Sequence, residues 1–267
     1  MNTQKAMHFT ENYLINPTNP ITVNLIGAGG SGSVMLTALA RMNHSLIALG
    51  HAGLQVQLFD DDVVTEANLG RQLFASAELG MLKSVCLINR TNLFFGTNWK
   101  AVSERFGTKD IRRVSNKSKA NIFISCVDTV SARYEIAQAI SLMHDRNDRD
   151  RSKPFYWMDL GNSRHSGQVV LSTIGEIKQP ETKLYKPVPE LPMVTEEFKD
   201  LLDAQMDNNE PSCSLAEALE KQDLFINPAL VNMGASLLWS LFRNGMTEYR
   251  GFFMNLKDFR TQPIFVG

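Results

Sequence analysis

The feature that most constrains the fold is a short apolar run that ends in a glycine-rich turn and continues into an amphipathic segment, over residues 21–49. Residues 21–26 are mostly apolar and rich in β-branched side chains, which is typical of a buried strand. Residues 27–32 read Gly-Ala-Gly-Gly-Ser-Gly and fit the spacing Gly-x-Gly-x-x-Gly. Apolar residues then recur at helical spacing, at Met35, Leu39, Met42, Leu46 and Leu49. This order predicts a strand, a tight turn and a helix that packs on a parallel sheet.

The glycine turn has a physical task in such a unit. Glycines permit the tight turn, and they let backbone N–H groups at a helix N terminus approach phosphate without a Cβ atom in the way. Many α/β folds use the same turn only to pack a helix closely on a sheet. The turn therefore predicts a nucleotide site, with a purely structural turn as the alternative.

A second polar stretch follows the next predicted strand, residues 54–58, and reads Phe-Asp-Asp-Asp-Val-Val-Thr-Glu-Ala-Asn-Leu-Gly-Arg-Gln over residues 59–72. Asp60, at the strand end, can accept hydrogen bonds from both hydroxyls of a ribose, and Arg71 brings a fork of five donors suited to phosphate oxygens. The alternative is a solvated acidic turn ahead of a helix. Asp60 lies further on than the roughly 20 residues typical of dinucleotide enzymes, which weakens a nicotinamide interpretation.

Two further charged residues follow later predicted elements. Lys83 lies in the first turns of a helix that begins after residues 76–80, a position where lysine is usually a solvated surface residue. Asp128 follows an apolar run at residues 121–127. Open α/β sheets place ligand groups just beyond the carboxyl ends of their parallel strands. Asp128 is therefore predicted as a metal ligand, and the alternative is an N-cap for the next helix.

The chain is predicted to have an N-terminal arm (1–20), a nucleotide-binding domain (21–174), a crossover segment (175–212) and a C-terminal part of the same domain (213–267). Because the crossover segment is rich in proline, it is predicted to be irregular, with one short helix at residues 196–204. Further strands are predicted at residues 98–103, 154–158, 168–174 and 251–256, and a further helix at residues 229–243. The fold class is thus α/β, with a Rossmann-like, open, mostly parallel sheet, flanking helices, a long crossover and a C-terminal helix and strand.

Composition argues against several classes of protein. The net charge is −1, and no run of Lys or Arg is dense enough to neutralise a phosphate backbone, so direct nucleic-acid binding is not expected. Residues 1–20 are polar, and no apolar run is long enough to span a membrane, so we expect a soluble cytoplasmic protein without a membrane partner. The cysteines lack Cys-x-x-Cys spacing, which argues against a disulfide framework and against a four-thiolate zinc site.

One of the three cysteines, Cys213, is a candidate nucleophile. Ser214 and Glu217 have the spacing of a capping box, so Cys213 would lie just before a helix N terminus, where the dipole favours the thiolate. The alternative is a small residue packed beside the cap. Cys86 and Cys126 lie in apolar helix and strand patterns and are predicted to belong to the core.

With these residues in place, the chain resembles the ThiF and MoeB group of adenylating enzymes, which also contains the ubiquitin-activating enzymes. The glycine turn, residues 60–72, Lys83, and Cys126-Val127-Asp128 with Arg133 correspond to motifs of that group in the same order. Weaker similarity extends the resemblance over most of residues 21–260. Within the group, the chain is most similar to the ThiF-like component of plasmid-associated cassettes that also encode a ParB-related protein.

The resemblance implies a reaction and a set of roles. The C-terminal carboxylate of a small ubiquitin-like (β-grasp) protein would attack the α-phosphate of ATP, giving an acyl-adenylate and pyrophosphate, and the enzyme would be a homodimer. In the implied site, the phosphates lie against Gly27, Gly29 and Gly30, the ribose on Asp60, the triphosphate among Asn68, Arg71 and Lys83, and Mg²⁺ on Asp128. Cys213 would correspond to the cysteine that forms a thioester in some members.

The chain departs from that group at three points. It lacks the paired Cys-x-x-Cys zinc ligands of many members, so no structural zinc is expected. Its first arginine is Arg41, which argues against an arginine supplied by the partner subunit's N-terminal region. Thr129 replaces the usual asparagine after the magnesium aspartate. Two other functions remain open at this point, a nicotinamide-dependent oxidoreductase and a non-catalytic module that binds a nucleotide together with a ubiquitin-like or DNA-partitioning partner.

Overall fold

The computed structural model describes residues 4–107, 118–145, 152–203 and 215–267. The strands are β1 (Lys5–Phe9), β2 (Ile21–Ile26), β3 (Leu54–Phe59), β4 (Lys100–Val102), β5 (Ile122–Ser125), β6 (Tyr156–Asn162), β7 (Ser166–Thr173), β8 (Tyr185–Pro187), β9 (Met246–Thr247), β10 (Tyr249–Asn255) and β11 (Arg260–Phe265). The helices are α1 (Asn12–Ile15), α2 (Gly30–Ala48), α3 (Lys83–Phe95), α4 (Val130–Asp145), α5 (Val194–Glu197), α6 (Lys199–Asp203), α7 (Leu215–Lys221) and α8 (Ile226–Asn244). Two 3₁₀ turns, Glu66–Asn68 and Ser76–Glu78, connect β3 to α3.

The central sheet has the strand order β11-β10-β7-β6-β5-β2-β3-β4 in the described part of the chain. The pairs β2–β3, β2–β5, β3–β4 and β5–β6 are parallel, whereas β6–β7, β7–β10 and β10–β11 are antiparallel. The predicted Rossmann-like, mostly parallel sheet is therefore confirmed. Because β2 lies between β3 and β5, the carboxyl ends of these three strands meet at one edge.

Helices cover both faces of the sheet. On one face the core includes Leu39 of α2, Leu87 of α3 and Leu238 of α8. On the other face it includes Ile136 of α4 and Val194 of α5. Successive residues of a strand point to opposite faces, so strands covered on both sides read as continuous apolar runs. This explains why β2 and β5 could be predicted from short β-branched segments.

Strand β6 is longer than the pattern predicted. Residues 159–162, which we expected to lie between two strands, continue β6 and pair with β7. Asp159 is fully buried, and Arg133 of α4 donates from Nε to its carboxylate at 3.0 Å. An aspartate in an apolar run normally marks the end of a strand, but here the buried partner compensates its charge.

The N-terminal residues form part of a second sheet. Strand β1 lies between β8, to which it is parallel, and β9, to which it is antiparallel. The ring of His8 is fully buried, with Nδ1 at 2.7 Å from the carbonyl oxygen of Val188 and Nε2 at 2.9 Å from the hydroxyl of Tyr156. Burial lowers the pKa of His8, so its ring is neutral at physiological pH. The segment predicted as an arm is thus fastened to the body of the fold.

The crossover segment contains β8 and two short helices, α5 and α6, where a single helix was predicted. Arg250 of β10 anchors it, because its guanidinium forms an ion pair with Glu197 and donates to the carbonyl of Pro192 at 3.0 Å. Cys213 and Ser214 lie outside the described residues. The predicted division of the chain into domains stays a prediction. None of the described helices is both long and apolar enough to cross a membrane.

Candidate functional site

A cleft of about 320 Å³ opens at the edge where the carboxyl ends of β2, β3 and β5 meet. Most of the residues that the sequence singled out line this cleft: Gly27, Gly29, Gly30, Asp60, Arg71, Lys83 and Asp128. They come from four separate segments of the chain, so their convergence is a result of the fold. This is the edge at which open α/β sheets bind their ligands.

The glycine turn brings the N terminus of α2 into the cleft. Gly27 has a φ of +95°, and a Cβ atom on it would lie 2.7 Å from the carbonyl oxygen of Cys126. Gly29 is the N-cap of α2, and no side chain caps the helix there. A Cβ atom on Gly29 would meet nothing within 4 Å, because that side of the turn faces open space. Uncapped N–H groups at a helix N terminus form a binding site for an anion such as phosphate.

Asp60 joins the end of β3 to the glycine turn. One carboxylate oxygen accepts a hydrogen bond from the N–H of Ala28 at 2.6 Å, and the other accepts from the N–H of Asp62 at 3.0 Å. Burial raises the pKa of Asp60 from 3.8 to about 6, although these hydrogen bonds and the charge of Lys83 oppose the rise. The carboxylate retains lone pairs that can accept hydrogen bonds from further donors, such as ribose hydroxyls. Protonation of the carboxyl group would remove part of this accepting capacity.

Two cationic side chains face the cleft from the segment after β3. Lys83, in the first turn of α3, is buried, and its Nζ lies 2.9 Å from a carboxylate oxygen of Asp62. The side chain of Asp62 is 68% exposed, so a ligand phosphate can replace it as the partner of Lys83. Arg71 donates from Nη1 to Oε1 of Gln222 at 2.6 Å, and its buried Nε has no partner in the described residues. Lys83 is thus a buried cation at the site rather than a solvated surface residue.

Asp128 lies on a loop that Arg133 holds in place. The guanidinium of Arg133 donates to the carbonyls of Val127 and Thr129, the residues on either side of Asp128, at 2.8 and 3.2 Å. The hydroxyl of Thr129 accepts a hydrogen bond from the N–H of Ala132 at 3.3 Å, so Thr129 rather than Asp128 caps α4. The carboxylate of Asp128 is therefore not needed as a helix cap.

Asn68 is the predicted site residue that the structure does not bring into the cleft. Its side-chain oxygen accepts a hydrogen bond from the N–H of Thr65 at 2.9 Å and closes a capping box around the 3₁₀ turn. Its predicted contact with a triphosphate stays a prediction. Cys213 lies outside the described residues, so its role also remains untested.

Sequence reasoning gave no role at the site to several residues that line the cleft, among them Arg105, Gln222 and Asn227. Cys126 packs against the core, as predicted, and also lines the cleft; burial raises the pKa of its thiol well above the usual range and keeps it protonated. Arg105 lies beyond β4, near Glu135 of α4 at 3.4 Å. Gln222 and Asn227 belong to no motif, and no sequence pattern could have singled them out.

The residues present fit a polyphosphate and a magnesium ion. Arg71, Lys83 and Arg105 supply positive charge, and the buried Nε of Arg71 and Oε1 of Gln72 lack partners among the described residues. The described residues contain no group of three or more His, Cys, Asp or Glu side chains placed to hold a metal ion. Mg²⁺ in nucleotide sites commonly uses only one or two carboxylates together with phosphate oxygens. Asp128 can supply such a carboxylate.

A model of the ThiF family matches residues 18–261 of the chain. The chain belongs to the ThiF family. The resemblance seen in the glycine turn and in residues 60–72 is thereby confirmed for the family, whereas the similarity to plasmid-associated members stays a prediction. A search of the curated proteins found no match for this ThiF-family chain.

Solved structures share the fold of this ThiF-family chain at low sequence identity. PaaA superposes with a TM-score of 0.58 and 12% identity, over 92% of this chain and 64% of PaaA. E. coli MccB crystallised with MccA gives a TM-score of 0.57 and 13% identity, over 95% of this chain and 65% of MccB. E. coli MccB crystallised with ATP gives a TM-score of 0.53 and 14% identity, over 95% and 65%. The chain therefore spans less than two thirds of the length of these proteins.

Proposed function

We propose that this ThiF-family protein adenylates a carboxylate at the expense of ATP. The observation that supports this most directly is the convergence of Arg71 and Lys83 on the uncapped N terminus of α2. Asp60 and Asp128 follow the two strands that flank β2 at the same cleft. In this proposal, the N terminus of α2 binds the phosphates with Arg71 and Lys83, Asp60 accepts hydrogen bonds from the ribose, and Asp128 holds a metal ion.

Adenylation requires little covalent participation by the protein. An oxygen of the substrate carboxylate forms a bond to the α-phosphorus of ATP, and the bond from that phosphorus to the oxygen shared with the β-phosphate breaks. The products are an acyl-adenylate and pyrophosphate, which keeps the electron pair of the broken bond. Displacement at phosphorus depends on positioning and on stabilising the charge that develops on the phosphate oxygens. Arg71, Lys83 and the N–H groups of α2 can do both.

The proposed site also includes a magnesium ion. Asp128 would hold the ion together with phosphate oxygens, and the ion would supply positive charge to the departing pyrophosphate. Arg133 would keep Asp128 in place through its hydrogen bonds to the carbonyls of Val127 and Thr129.

The substrate that we propose is the C-terminal carboxylate of a small ubiquitin-like, β-grasp protein. Support comes from the family and from MccB, which shares the fold and has been crystallised both with MccA and with ATP. We further propose that the protein acts as a homodimer. Transfer of the activated carboxylate to Cys213 as a thioester belongs to the same proposal.

Exchange of labelled pyrophosphate into ATP tests the proposal. Small β-grasp proteins with free C-terminal carboxylates serve as candidate donors, in the presence of Mg²⁺. Wild-type protein should catalyse exchange only with a donor present, and Asp128→Asn should abolish it. Arg71→Ala should raise the barrier by about 3–4 kcal/mol, by analogy with removing one preorganised oxyanion donor. Asp258→Asn, in the turn between β10 and β11, is the matched control and should leave exchange unchanged.

Each outcome has a distinct meaning. Exchange that persists in Asp128→Asn and Arg71→Ala would contradict the assignment of the site. If the protein binds ATP but no donor supports exchange, a nucleotide- and partner-binding module without adenylation becomes the better description. Binding of NADH without any binding of ATP would instead revive the oxidoreductase interpretation.

A further inference from the structure

Two side chains of the C-terminal part of the chain, Gln222 and Asn227, line the cleft, and Gln222 contacts Arg71. Gln222 follows α7, and α7 packs against the 3₁₀ turn Glu66–Asn68 just before Arg71. Its Oε1 accepts two hydrogen bonds, from Nη1 of Arg71 at 2.6 Å and from Nδ2 of Asn227 at 3.0 Å. A carboxamide oxygen has two lone pairs, so both of its acceptor positions are used and the orientation of the amide is fixed.

Asn227 extends this link to the glycine turn. Its Oδ1 accepts a hydrogen bond from the hydroxyl of Ser31 at 2.9 Å, and both side chains are buried. The fit is close, because a Cβ atom on Gly30 would lie only 2.3 Å from Nδ2 of Asn227. Arg71, Gln222, Asn227 and Ser31 therefore form one continuous chain of hydrogen bonds between the two phosphate-binding walls of the cleft.

The chemical nature of Gln222 matters to Arg71. A neutral amide oxygen orients the guanidinium without cancelling its charge, whereas a carboxylate at this position would form an ion pair with it. Burial already disfavours the charged form of Arg71 and lowers its pKa, and its Nε lacks a partner in the described part of the chain. Held by one N–H, the guanidinium keeps its remaining donors and its full charge for an anion in the cleft.

We infer that Gln222 is a positioning residue, which holds Arg71 in the orientation that binds the phosphates of ATP, and that Asn227 fixes Gln222 in turn. This inference rests on the proposed function, because it assigns Arg71 to the phosphates. It makes the segment between α7 and α8 part of the nucleotide site. Gln222 thereby contributes to the preference for a nucleoside triphosphate over the bare nucleoside.

Two substitutions separate positioning from simple structural support. Gln222→Met keeps the length of the side chain and removes the acceptor, and Gln222→Glu keeps an acceptor but adds a negative charge beside Arg71. Calorimetric titrations with ATP and with adenosine, and thermal unfolding without ligand, are compared with wild type. Glu220→Gln, at an exposed position of α7 two residues before Gln222, is the control for a change of charge in the same segment.

We expect Gln222→Met to weaken ATP binding about tenfold, the loss of one charge-assisted hydrogen bond, and to leave adenosine binding unchanged. Gln222→Glu should weaken ATP binding further, because the ion pair neutralises Arg71, and it should unfold at a temperature at or above that of wild type. A purely structural role of Gln222 predicts different results for both variants. ATP and adenosine affinities would then fall together in Gln222→Met, and Gln222→Glu would bind ATP as wild type does.

The proposed function and this inference fail in different ways. Wild-type protein that binds no ATP would refute the nucleotide site itself. Wild-type protein that binds ATP, with both Gln222 variants binding ATP equally well, would refute only the positioning role. A parallel loss of ATP and adenosine affinity in Gln222→Met would refute it as well.

Discussion

Replacing Asp60 by asparagine should stabilise the protein at neutral pH while weakening nucleotide binding. Burial raises the pKa of Asp60 from 3.8 to about 6, so ionisation of this carboxyl opposes folding. The stability that the protonated carboxyl contributes is fully present below the unfolded pKa. This contribution to stability is lost as the pH rises through about 6, the pKa of Asp60 in the folded protein. Asparagine cannot ionise, so the variant does not suffer this loss.

The magnitude follows from the two pKa values of 3.8 and about 6. Ionisation of Asp60 should cost the folded state about 1 kcal/mol at about pH 4.5 and about 3 kcal/mol at about pH 7.5. The amide oxygen of asparagine can still accept the hydrogen bond from Ala28, and the acceptor lost at Asp62 costs about the same at every pH. The difference in unfolding free energy between Asp60→Asn and wild type should therefore grow by about 2 kcal/mol over this range.

Urea unfolding followed by tryptophan fluorescence measures this difference, since Trp157 is fully buried in the central sheet. Asp258→Asn is the control and should follow wild type at each pH. Titration with adenosine, which has no phosphate that ionises, should show wild-type affinity falling below about pH 6 and a weak, pH-independent affinity in Asp60→Asn. A stability difference that stays constant from acidic to neutral pH would refute the assignment of the raised pKa to Asp60.

Two further predictions concern the glycine turn and the buried ion pair between Arg133 and Asp159. Gly29→Ala should weaken ATP binding with little loss of stability, because its Cβ would enter the open space of the cleft. Gly30→Ala should instead cost about 1–3 kcal/mol of stability, because its Cβ would displace Asn227. Equal unfolding curves for the two variants would contradict this contrast. Arg133→Met should cost about 3–5 kcal/mol in denaturant unfolding, because it leaves the fully buried Asp159 unpaired, and the added change Asp159→Leu should restore much of that loss.

Those parts of the fold that depend on local patterns could be predicted from the sequence. The glycine turn, the predicted strands and the helical face of α2 carry their signal within a few residues of each other, and their periodicity identifies the element. The cleft residues Asp60, Arg71, Lys83 and Asp128 were found for a related reason, since each follows directly on a recognisable strand or motif. Position at the carboxyl edge of a parallel sheet then brings them together.

The parts that escaped prediction depend on contacts between distant segments. Asp159 lies within β6 because Arg133, on another element, compensates its charge. Gln222 and Asn227 join the cleft only because α7 packs against the 3₁₀ turn Glu66–Asn68 and α8 packs against α2, and nothing near them in the sequence marks them as site residues. His8 is buried against Tyr156, which lies 148 positions away along the chain. Such pairings leave no periodic signal in a single sequence.

The place of β1 in the small sheet affects how the chain is made. β1 leaves the ribosome well before its two neighbours in that sheet, β8 and β9, and β9 begins at Met246. Domains tend to fold from the N terminus as they emerge, and pairings between distant segments form late. β1 therefore cannot be enclosed between both neighbours until β9 has been translated, although β8 is available to it earlier. Closure of β1 between β8 and β9 follows the synthesis of β9, and a ribosome-bound chain stalled before Met246 should leave the β9 edge of β1 open to added protease.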